Sequence, residues 1–363
     1  MKIGFLIGNM SRTGGTERVL QQIANGLAER GHSVVVLSVW GLDRPSFPLD
    51  GRVVFRRLRE DCPRGPAGHW NAIRAICRAL RSEVPEVLVD VDLILTVYTL
   101  PAAAGLPGLR RVAWEHFNYY SRFPKHNRLR ALARRLAARF SHAVVVLTEE
   151  DRGYYERNLR IRGRLCRIYN PKPSAPGVPA AGGEERMVLA AGRLTHVKGF
   201  DLLLESWALL EKDFPGWRLC VAGDGEDREK LLEIIEKKGL RAVELPGRVS
   251  DMEAWYGRSA FYVLPSRGEG FAMVLLEAMA CGRAAVSFAC RTGPREIIRD
   301  GVNGFLVPEG DTAAFAERMR RLMESPELCR EMGRQARASL DAFDRDRILD
   351  QWEELLKGLK PRR

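Results

Sequence analysis

Hydrophobic runs and amphipathic segments alternate along the first half of the chain. Short apolar runs with the composition of strands occur at Ile3–Gly8, Ser33–Val39, Val53–Leu58, Leu93–Val97, Arg111–Trp114 and His142–Leu147. Between several of them, apolar positions recur with helical spacing over Glu17–Arg30, Gly68–Glu83 and Arg128–Phe140. This alternation predicts an α/β unit in which helices cover both faces of a parallel sheet.

A second alternating set follows a stretch rich in Pro, Ala and Gly, which predicts a linker over residues 172–185. Its strands are expected at Met187–Ala190, Arg218–Ala222, Val243–Leu245, Phe261–Leu264, Ala284–Phe288 and Gly304–Val307, before a mostly helical tail. A length of 363 residues fits two domains of about 150–200 residues. We therefore predict a first domain (1–171), the linker, a second domain (186–342) and a C-terminal segment (343–363).

The basic excess of the chain lies entirely in its first half. Residues 1–180 contain 29 Lys and Arg against 15 Asp and Glu, whereas the remainder contains 29 against 31. An anionic partner is therefore expected for the first half: lipid headgroups, a diphosphate or nucleic acid. No apolar run is long enough to span a membrane, and Met1–Gly8 fits a first strand better than a signal peptide. The seven cysteines include no C-x-x-C pair, which favours reduced thiols in a cytoplasmic protein.

One stretch of the second half joins a predicted strand to a helix through a turn of small residues. This turn, Gly268–Met273, precedes helical composition over Val274–Ala280, so its backbone N–H groups are predicted to face an anion. Glu269 lies on the turn, and Glu277 lies eight residues later, two helical turns on. The two carboxylates are therefore expected at opposite ends of the ligand.

Ser-Arg-Gly-Glu-Gly-Phe at 266–271, followed by Leu-Glu-Ala-Met-Ala at 276–280, resembles the E-x(7)-E signature of the retaining glycosyltransferases of family 4. The resemblance implies a GT-B fold, an α/β architecture of two Rossmann-like domains facing across a cleft, with the C-terminal helix crossing back to the first domain. It also implies transfer of a hexose or N-acetylhexosamine from a nucleotide sugar, with Glu269 on the sugar and Glu277 on the ribose hydroxyls. The same motif assigns donor binding to Gly270, Phe271, Ala272, Met273 and Val274.

Further turns are similar to motifs of this family. The first turn is neither G-x-G-x-x-G nor the phosphate loop of NTPases, but Thr13–Arg18 is similar to the G-G-x-E-R loop of the family. Gly192–Gly199 is similar to G-R-L-x-x-x-K-G, in which Arg193 and Lys198 would neutralise the diphosphate leaving group. Together with the turns around the nucleoside, these motifs assign donor binding to Gly14, Gly15, Glu17, Gly192, Gly223, Arg248 and Val249.

His116 directly follows a predicted strand, in the sequence Trp-Glu-His-Phe. A lone histidine is more often structural than catalytic, but an E-H at the corresponding place in the family implies a contact to the transferred sugar. A neutral imidazole, or its backbone, can hydrogen-bond a sugar hydroxyl. The predicted catalytic set is therefore Arg193, Lys198, Glu269 and His116.

Arginines are concentrated on the predicted helix Arg128–Phe140. On a helical projection, one apolar face contains Leu129, Leu132, Ala133, Leu136 and Phe140, and its borders contain Arg128, Arg130, Arg134, Arg135 and Arg139. Two interpretations stay open: a core-packed helix with a solvated border, or an interfacial helix with snorkelling arginines. Residues 118–140 also resemble the segment of polyprenyl-linked oligosaccharide transferases that meets the acceptor diphosphate. These arginines are therefore assigned to the acceptor or the membrane.

The predicted function is sugar transfer from a UDP-sugar to a growing, polyprenyl-diphosphate-linked glycan in surface-polysaccharide or glycoprotein biosynthesis, with retention of configuration. The enzyme is expected on the inner face of the cell membrane, with an anionic membrane surface as partner and without nucleic acid. No metal or other cofactor is expected, since the histidines lack ligand spacing and Asp90-Val91-Asp92 is expected to precede its strand. The alternatives are a UDP-sugar 2-epimerase of the same fold, which E-x(7)-E disfavours, and a basic nucleic-acid-binding protein, for which no recognised module is present.

Overall fold

The computed structural model describes residues 1–121, 127–173 and 185–360, and it contains two compact units. Unit 1 comprises residues 1–171 together with 345–363, and unit 2 comprises residues 172–344. Most of the predicted linker, residues 174–184, lies outside the described residues. Among the helices described, none combines the length and the apolar character needed to cross a bilayer.

Unit 1 is built on a seven-stranded parallel sheet. Its strands are β1 Lys2–Ile7, β2 Ser33–Ser38, β3 Val53–Arg57, β4 Val87–Val91, β5 Arg110–Trp114, β6 Ala143–Val146 and β7 Arg164–Arg167. Its helices before the unit boundary are α1 Gly15–Glu29, α2 Gly65–Glu83, α3 Thr96–Ala102, α4 Asn127–Phe140 and α5 Glu149–Asn158. The strands lie in the order β3-β2-β1-β4-β5-β6-β7, with parallel pairing throughout.

Unit 2 repeats this plan with six parallel strands in the order β10-β9-β8-β11-β12-β13. The strands are β8 Met187–Ala191, β9 Arg218–Ala222, β10 Val243–Gly247, β11 Phe261–Leu264, β12 Ala284–Phe288 and β13 Gly304–Val307. The helices are α6 Phe200–Ala208, α7 Arg228–Lys238, α8 Met252–Arg258, α9 Met273–Ala280, α10 Pro294–Ile297, α11 Thr312–Glu324 and α12 Pro326–Ala338. Two Rossmann-like units of parallel sheet confirm the predicted α/β class.

The central strands are apolar on both faces because helices cover both faces of each sheet. Every residue of β4, β8 and β12 is buried. In unit 2, the rings of Trp207, Phe288 and Phe315 belong to one core cluster between sheet and helices. Continuous burial explains why β8 is visible in the sequence as an uninterrupted apolar run, whereas β4 and β12 each include one buried polar residue, Asp90 and Ser287.

The predicted strand Leu93–Val97 is wrong. The strand of this region is β4, and residues 93–95 instead form a 3-10 turn that leads into α3. Asp92 ends the strand, because it adopts a positive φ of 82° and its carboxylate accepts a hydrogen bond from the N–H of Ile94. We expected the Asp90-Val91-Asp92 sequence to precede its strand. It lies instead at the carboxyl end of β4.

Both aspartates of this sequence are bound by protein groups. The buried Asp90 accepts hydrogen bonds from the hydroxyls of Thr96 at 3.0 Å and Thr99 at 2.8 Å. Burial raises the pKa of Asp90 to about 7. Asp92 pairs with the guanidinium of Arg130 at 2.6 Å. Within the described part of the chain, no group of three or more His, Cys, Asp or Glu side chains is placed to hold a metal ion.

The last helix of the chain, α13 Arg345–Lys357, belongs to unit 1. Its Trp352 is fully buried against Trp114 at the end of β5, with ring centroids 4.7 Å apart. Glu353 accepts a hydrogen bond from His32 at 2.6 Å, and Asp350 pairs with Arg30 at 2.6 Å. Helix α13 therefore packs into the core of unit 1, which residues 1–171 otherwise form.

Replacing Trp352 by alanine is expected to destabilise unit 1 by about 3–5 kcal/mol, because a cavity would remain beside Trp114. Denaturant unfolding followed by circular dichroism measures the change. Trp70→Ala is the matched control, since Trp70 is 58% exposed in the same unit; it should change the free energy of unfolding by less than about 0.5 kcal/mol. Similar losses in the two variants would contradict this account of the packing.

Candidate active site

The candidate site of unit 2 lies where the strand order of its sheet reverses. The chain continues from β8 to β9 on one side, while β11 lies on the other side of β8. Loops that leave the carboxyl ends of two such strands diverge, and open α/β sheets bind ligands in the crevice between them. Here the loops are residues 192–199 after β8 and residues 265–272 after β11.

Hydrogen bonds and an ion pair fix these two loops against each other. The N–H of Arg267 donates to the carbonyl of Val197 at 2.8 Å. The guanidinium of Arg267 pairs with Asp201 in the first turn of α6 at 2.7 Å. The crevice is therefore formed by contacts within the protein itself.

Two predicted catalytic residues meet between these loops. The ammonium of Lys198 pairs with Oε1 of Glu269 at 2.7 Å, and the hydroxyl of Ser266 donates to the same oxygen at 2.6 Å. Glu269 is only 9% exposed, and a carboxylate so far removed from water requires charged or hydrogen-bonding partners. Lys198 and Ser266 supply them.

Two residues that sequence reasoning missed hold Glu269 in place. Ser266 stands inside the recognised motif, and its position next to the turn was a usable signal. Thr292 follows β12, and its hydroxyl donates to the backbone carbonyl of Glu269 at 2.5 Å. No motif that we recognised includes Thr292, because its link to Glu269 spans 23 residues of chain.

The loops after β8 and β9 approach each other closely at Gly192 and Gly223. Gly223 has a φ of +146°, and a Cβ added to it would overlap the carbonyl oxygen of Gly192. A side chain at Gly223 would therefore separate the two loops. The next residue after Gly192 is Arg193, whose side chain is exposed at the start of the loop that contains Lys198.

The turn after β11 ends in the amino terminus of α9. Ala272 adopts the left-handed conformation, with φ 69° and ψ 57°, and α9 begins at the next residue, Met273. The first N–H groups of a helix have no partner within it and carry partial positive charge. Met273 and Val274, in the first turn of α9, therefore carry this partial positive charge, whereas the ring of Phe271 is buried against Phe343, with centroids 5.7 Å apart.

Glu277 lies on α9 and is half-buried. Tyr256 of α8, which the sequence analysis did not single out, donates its hydroxyl to Oε2 of Glu277 at 3.0 Å. Burial, followed by the neighbouring Glu277 carboxylate, raises the pKa of Tyr256 well above its ordinary value, so the phenol remains a donor. Arg248 and Val249 follow β10, two strands away from β8, where Arg248 is exposed and Val249 is half-buried.

In unit 1 the strand order reverses between β1 and β4. After β1, Gly14 is the N-cap of α1, Gly15 is its first residue, and Glu17 occupies its third position. The Glu17 side chain folds back, so that a Cβ on Gly14 would lie 2.5 Å from its Oε2. A glutamate at this position can reach back to the cap of its own helix. Gly14 therefore leaves room for the Glu17 carboxylate in addition to any ligand.

His116 follows β5 and is 7% exposed. Its imidazole packs on the indole of Trp114, with centroids 4.3 Å apart. Burial, with a smaller effect of the Arg130 charge, lowers the pKa of His116 to about 3, so the ring is neutral at physiological pH. Its Nε2 is buried without a hydrogen-bond partner among the groups that the structure describes.

The assignment of Arg130 and Arg134 to the acceptor or the membrane is wrong. These side chains are only 4% and 8% exposed, and both guanidinium groups pair with the fully buried carboxylate of Glu115, at 3.2 Å and 3.4 Å. They lie on the inner face of α4 with three alanines. The predicted apolar face is also wrong, since Leu132 is 47% exposed. A buried carboxylate, and not hydrophobicity, decides which face of α4 turns inward.

The remaining arginines of α4 lie outside. Arg128, Arg135 and Arg139 are exposed on the same side of the helix as Leu132. We call these four residues the basic face. It keeps the combination of cationic and apolar side chains that an interfacial helix has.

Comparison with known proteins agrees with this geometry. The family model described as Glycosyltransferase Family 4 matches residues 13–171, and the model described as Glycosyl transferases group 1 matches residues 172–339. The chain belongs to the family 4 glycosyltransferases.

Bacterial glycosyltransferases resemble this one over its whole length. An uncharacterized glycosyltransferase of Haemophilus influenzae is 29% identical over 98% of this chain and 99% of its own. The Campylobacter jejuni GalNAc-alpha-(1->4)-GalNAc-alpha-(1->3)-diNAcBac-PP-undecaprenol alpha-1,4-N-acetyl-D-galactosaminyltransferase is 26% identical over 99% of both chains. Among solved structures, Anabaena HepE in complex with UDP-glucose has a TM-score of 0.79 at 22% identity and covers 99% of this chain and 100% of HepE. This likeness confirms the predicted GT-B fold class of the glycosyltransferase.

Gly223→Ala is expected to destabilise unit 2 of the glycosyltransferase by about 3 kcal/mol or more, because the added methyl group would overlap the Gly192 carbonyl. Gly239→Ala is the matched control. Gly239 also has a positive φ, of 64°, but a Cβ there meets nothing within 4 Å, so only the conformational cost of about 1–2 kcal/mol is expected. Thermal unfolding compares the two variants, and equal losses would contradict the close approach of the loops.

Proposed function

We propose that this glycosyltransferase moves a sugar from a UDP-sugar to a growing glycan on a polyprenyl diphosphate, with retention of configuration. Its role is in surface-polysaccharide or glycoprotein biosynthesis. The observation that carries the proposal is the pairing of Lys198 with Glu269 where the strand order of unit 2 reverses. The UDP-glucose complex of HepE supports the choice of donor, and the PP-undecaprenol acceptor of the Campylobacter jejuni relative supports the choice of acceptor.

The main electrostatic task of this reaction is to stabilise the negative charge that develops on the leaving diphosphate. The Lys198 ammonium has three donor hydrogens, so it can bind a phosphate oxygen beside the crevice in addition to Glu269. Arg193 is exposed in the same loop, and its planar guanidinium suits bidentate contact with phosphate. Fixed cations at this place lower the barrier because the charge that they stabilise appears in the transition state.

Glu269 is proposed to contact the sugar. Ser266 and Lys198 both bind its Oε1, and their positions set the direction of Oε2. This second oxygen can accept a hydrogen bond from a sugar hydroxyl. We therefore assign to Glu269 an orienting role next to the reacting carbon.

Glu277 is proposed to bind the ribose hydroxyls. Tyr256 holds its Oε2 from the neighbouring helix, which restricts the rotation of the carboxylate. The rest of the nucleotide is proposed to contact the backbone of residues 270–274 and the turns that contain Gly192, Gly223, Arg248 and Val249. For unit 1, we assign backbone contacts with the donor to Gly14 and Gly15, next to Glu17, and a hydrogen bond with a sugar hydroxyl to His116.

The basic face of α4 is proposed to meet the phosphates of an anionic membrane or of the lipid-linked acceptor. Its three arginines are exposed, and Arg-phosphate hydrogen bonds are charge-assisted. Leu132 adds an exposed apolar side chain among them. The basic excess of residues 1–180 acts in the same direction.

Lys198→Ala and Arg193→Ala should each lower kcat by about 100- to 1,000-fold, because each removes a cation that stabilises the leaving group. UDP release from a panel of UDP-sugars measures the effect, and thermal unfolding checks the fold. Lys237→Ala, which removes an exposed lysine of α7, is the control and should leave kcat unchanged. Turnover near the wild-type value in both site variants would refute the diphosphate assignment.

Glu277→Gln and Glu269→Gln should have different effects. The first variant should weaken UDP binding, because it loses a charged acceptor for the ribose hydroxyls. The second should lower turnover while UDP still binds. Calorimetric titration with UDP separates these effects, and equal losses of affinity would argue against the two roles. A chelator should leave wild-type activity unchanged.

Arg128→Gln/Arg135→Gln/Arg139→Gln should reduce binding to vesicles that contain phosphatidylglycerol by about 100-fold, at about 1 kcal/mol for each arginine. Turnover of a lipid-linked acceptor should fall, while UDP binding should persist. The matched control is Arg74→Gln/Arg78→Gln/Arg81→Gln, which removes three exposed arginines of another helix of unit 1, α2. If both triple variants lose vesicle binding to the same extent, net charge and not the basic face explains membrane binding. If neither variant loses binding, the basic face is only a solvated surface.

A further inference from the structure

The carboxylate of Glu115, immediately before His116, is the centre of a buried polar network in unit 1. Glu115 is 0% exposed. Besides the two arginines of α4, it accepts hydrogen bonds from the hydroxyl of Tyr155 at 2.7 Å and from the N–H of Phe117 at 3.3 Å. Tyr155 lies on α5 and is itself fully buried. The Glu115 carboxylate thus accepts hydrogen bonds from side chains of two helices, α4 and α5.

The same helices also bind the residues that follow His116. Arg134 donates to the carbonyl of Asn118 at 3.1 Å, and its guanidinium lies 5.0 Å from the ring centroid of Tyr119. The guanidinium of Arg130 lies 4.5 Å from the ring centroid of Phe117. On the α5 side, Asp151 accepts a hydrogen bond from the N–H of Tyr119 at 2.7 Å. Residues 115–119 are therefore held through both backbone and side chains.

His116 lies between this network and an aromatic stack. The imidazole of His116 packs on the indole of Trp114, and this indole contacts Trp352 of α13. The unpartnered Nε2 of His116 is the group that a sugar hydroxyl would satisfy. A buried polar atom without a partner is uncommon and requires an explanation.

The desolvation free energy of this buried ionic network is high, so packing of the loop alone does not explain it. Removing a carboxylate and two guanidinium groups from water costs several kcal/mol for each ion before their mutual attraction is counted. An apolar cluster of the same size would pack α4 on the sheet without that cost. The ionic network differs from an apolar cluster because its hydrogen bonds are directional, and each of them restricts the loop to one geometry.

We infer that Glu115, Arg134 and Tyr155 are positioning residues that hold the His116 imidazole in the orientation needed to bind the transferred sugar. The inference rests on the proposed sugar contact of His116, and the positioning itself can be measured without a sugar. Arg130 belongs to the same network and links it to Asp92 at the end of β4.

The first test observes the imidazole directly. The chain has six histidines, and the ¹³Cε1–¹H signal of His116 is identified by its loss in His116→Ala. Tyr155→Phe removes only the hydroxyl that binds Glu115, and Arg134→Lys keeps the charge but loses the planar fork. In both variants the His116 signal should shift more than that of any other histidine and begin to titrate between about pH 5.5 and 8, where the wild-type signal should stay constant.

Thr99→Val is the matched control, since it also removes one hydroxyl from a buried carboxylate of unit 1, Asp90, which lies on β4 and not in the loop that contains residues 115–119. It should leave the His116 signal unchanged. The second test measures UDP release from whichever of UDP-glucose, UDP-galactose, UDP-N-acetylglucosamine and UDP-N-acetylgalactosamine the wild type uses fastest. Tyr155→Phe should lower kcat by about five- to fiftyfold with donor KM within about twofold, and it should have almost no further effect in a His116→Ala background.

The outcomes separate the inference from the proposed function. A displaced His116 signal with a coupled loss of kcat supports both. A displaced signal with unchanged kcat supports the positioning but overturns the sugar contact of His116. If Tyr155→Phe and Arg134→Lys fold and leave the His116 signal where it is in the wild type, the network does not position His116 and the inference is wrong.

Discussion

The ion pair between Lys198 and Glu269 is the contact on which the geometry of the candidate site of unit 2 depends. It joins the loops that leave β8 and β11, so it forms only when these strands pair in parallel and in register. Ser266 and the pair of Arg267 with Asp201 stabilise the same junction. Because a desolvated carboxylate without partners costs several kcal/mol, the loops and the sheet stabilise one another. Fixed charges of this kind are in place before a ligand arrives, which is the condition for electrostatic catalysis.

Unit 1 also places a buried carboxylate, that of Glu115, immediately before His116, but with different partners. Glu269 has a lysine and a hydroxyl, and the lysine side chain is 22% exposed, so its ammonium can exchange partners. Glu115 is enclosed by two guanidinium groups and a phenol that are themselves buried. The first arrangement suits a site that binds charge during a reaction. The second suits a fixed support, since breaking one member leaves an uncompensated charge inside the unit.

Elements that depend on apolar composition could be predicted from the sequence, and the bounds of β11 and β12 are those of the predicted strands. The prediction failed where one polar residue decides. Leu93–Val97 is apolar, but Asp92 turns the chain out of the sheet. On α4, the helical projection predicted the buried face from hydrophobicity alone. The buried arginines instead pair with Glu115, which lies 15 residues before Arg130 in the sequence. In the candidate site, Lys198 and Glu269 were found by motif, but Tyr256 and Thr292 act across distances that no local pattern shows.

The two faces of α4 show how the fold decides which charges of unit 1 are available to a partner. The chain balances Arg130 and Arg134 with Glu115 and Asp92, because charges in the interior must be paired. Arg128, Arg135 and Arg139 lie on the exposed side of the same helix. The basic excess of residues 1–180 therefore does not measure the charge that is available at the surface of unit 1. On α4, the buried arginines are neutralised inside the unit, and the exposed arginines lie together on one side.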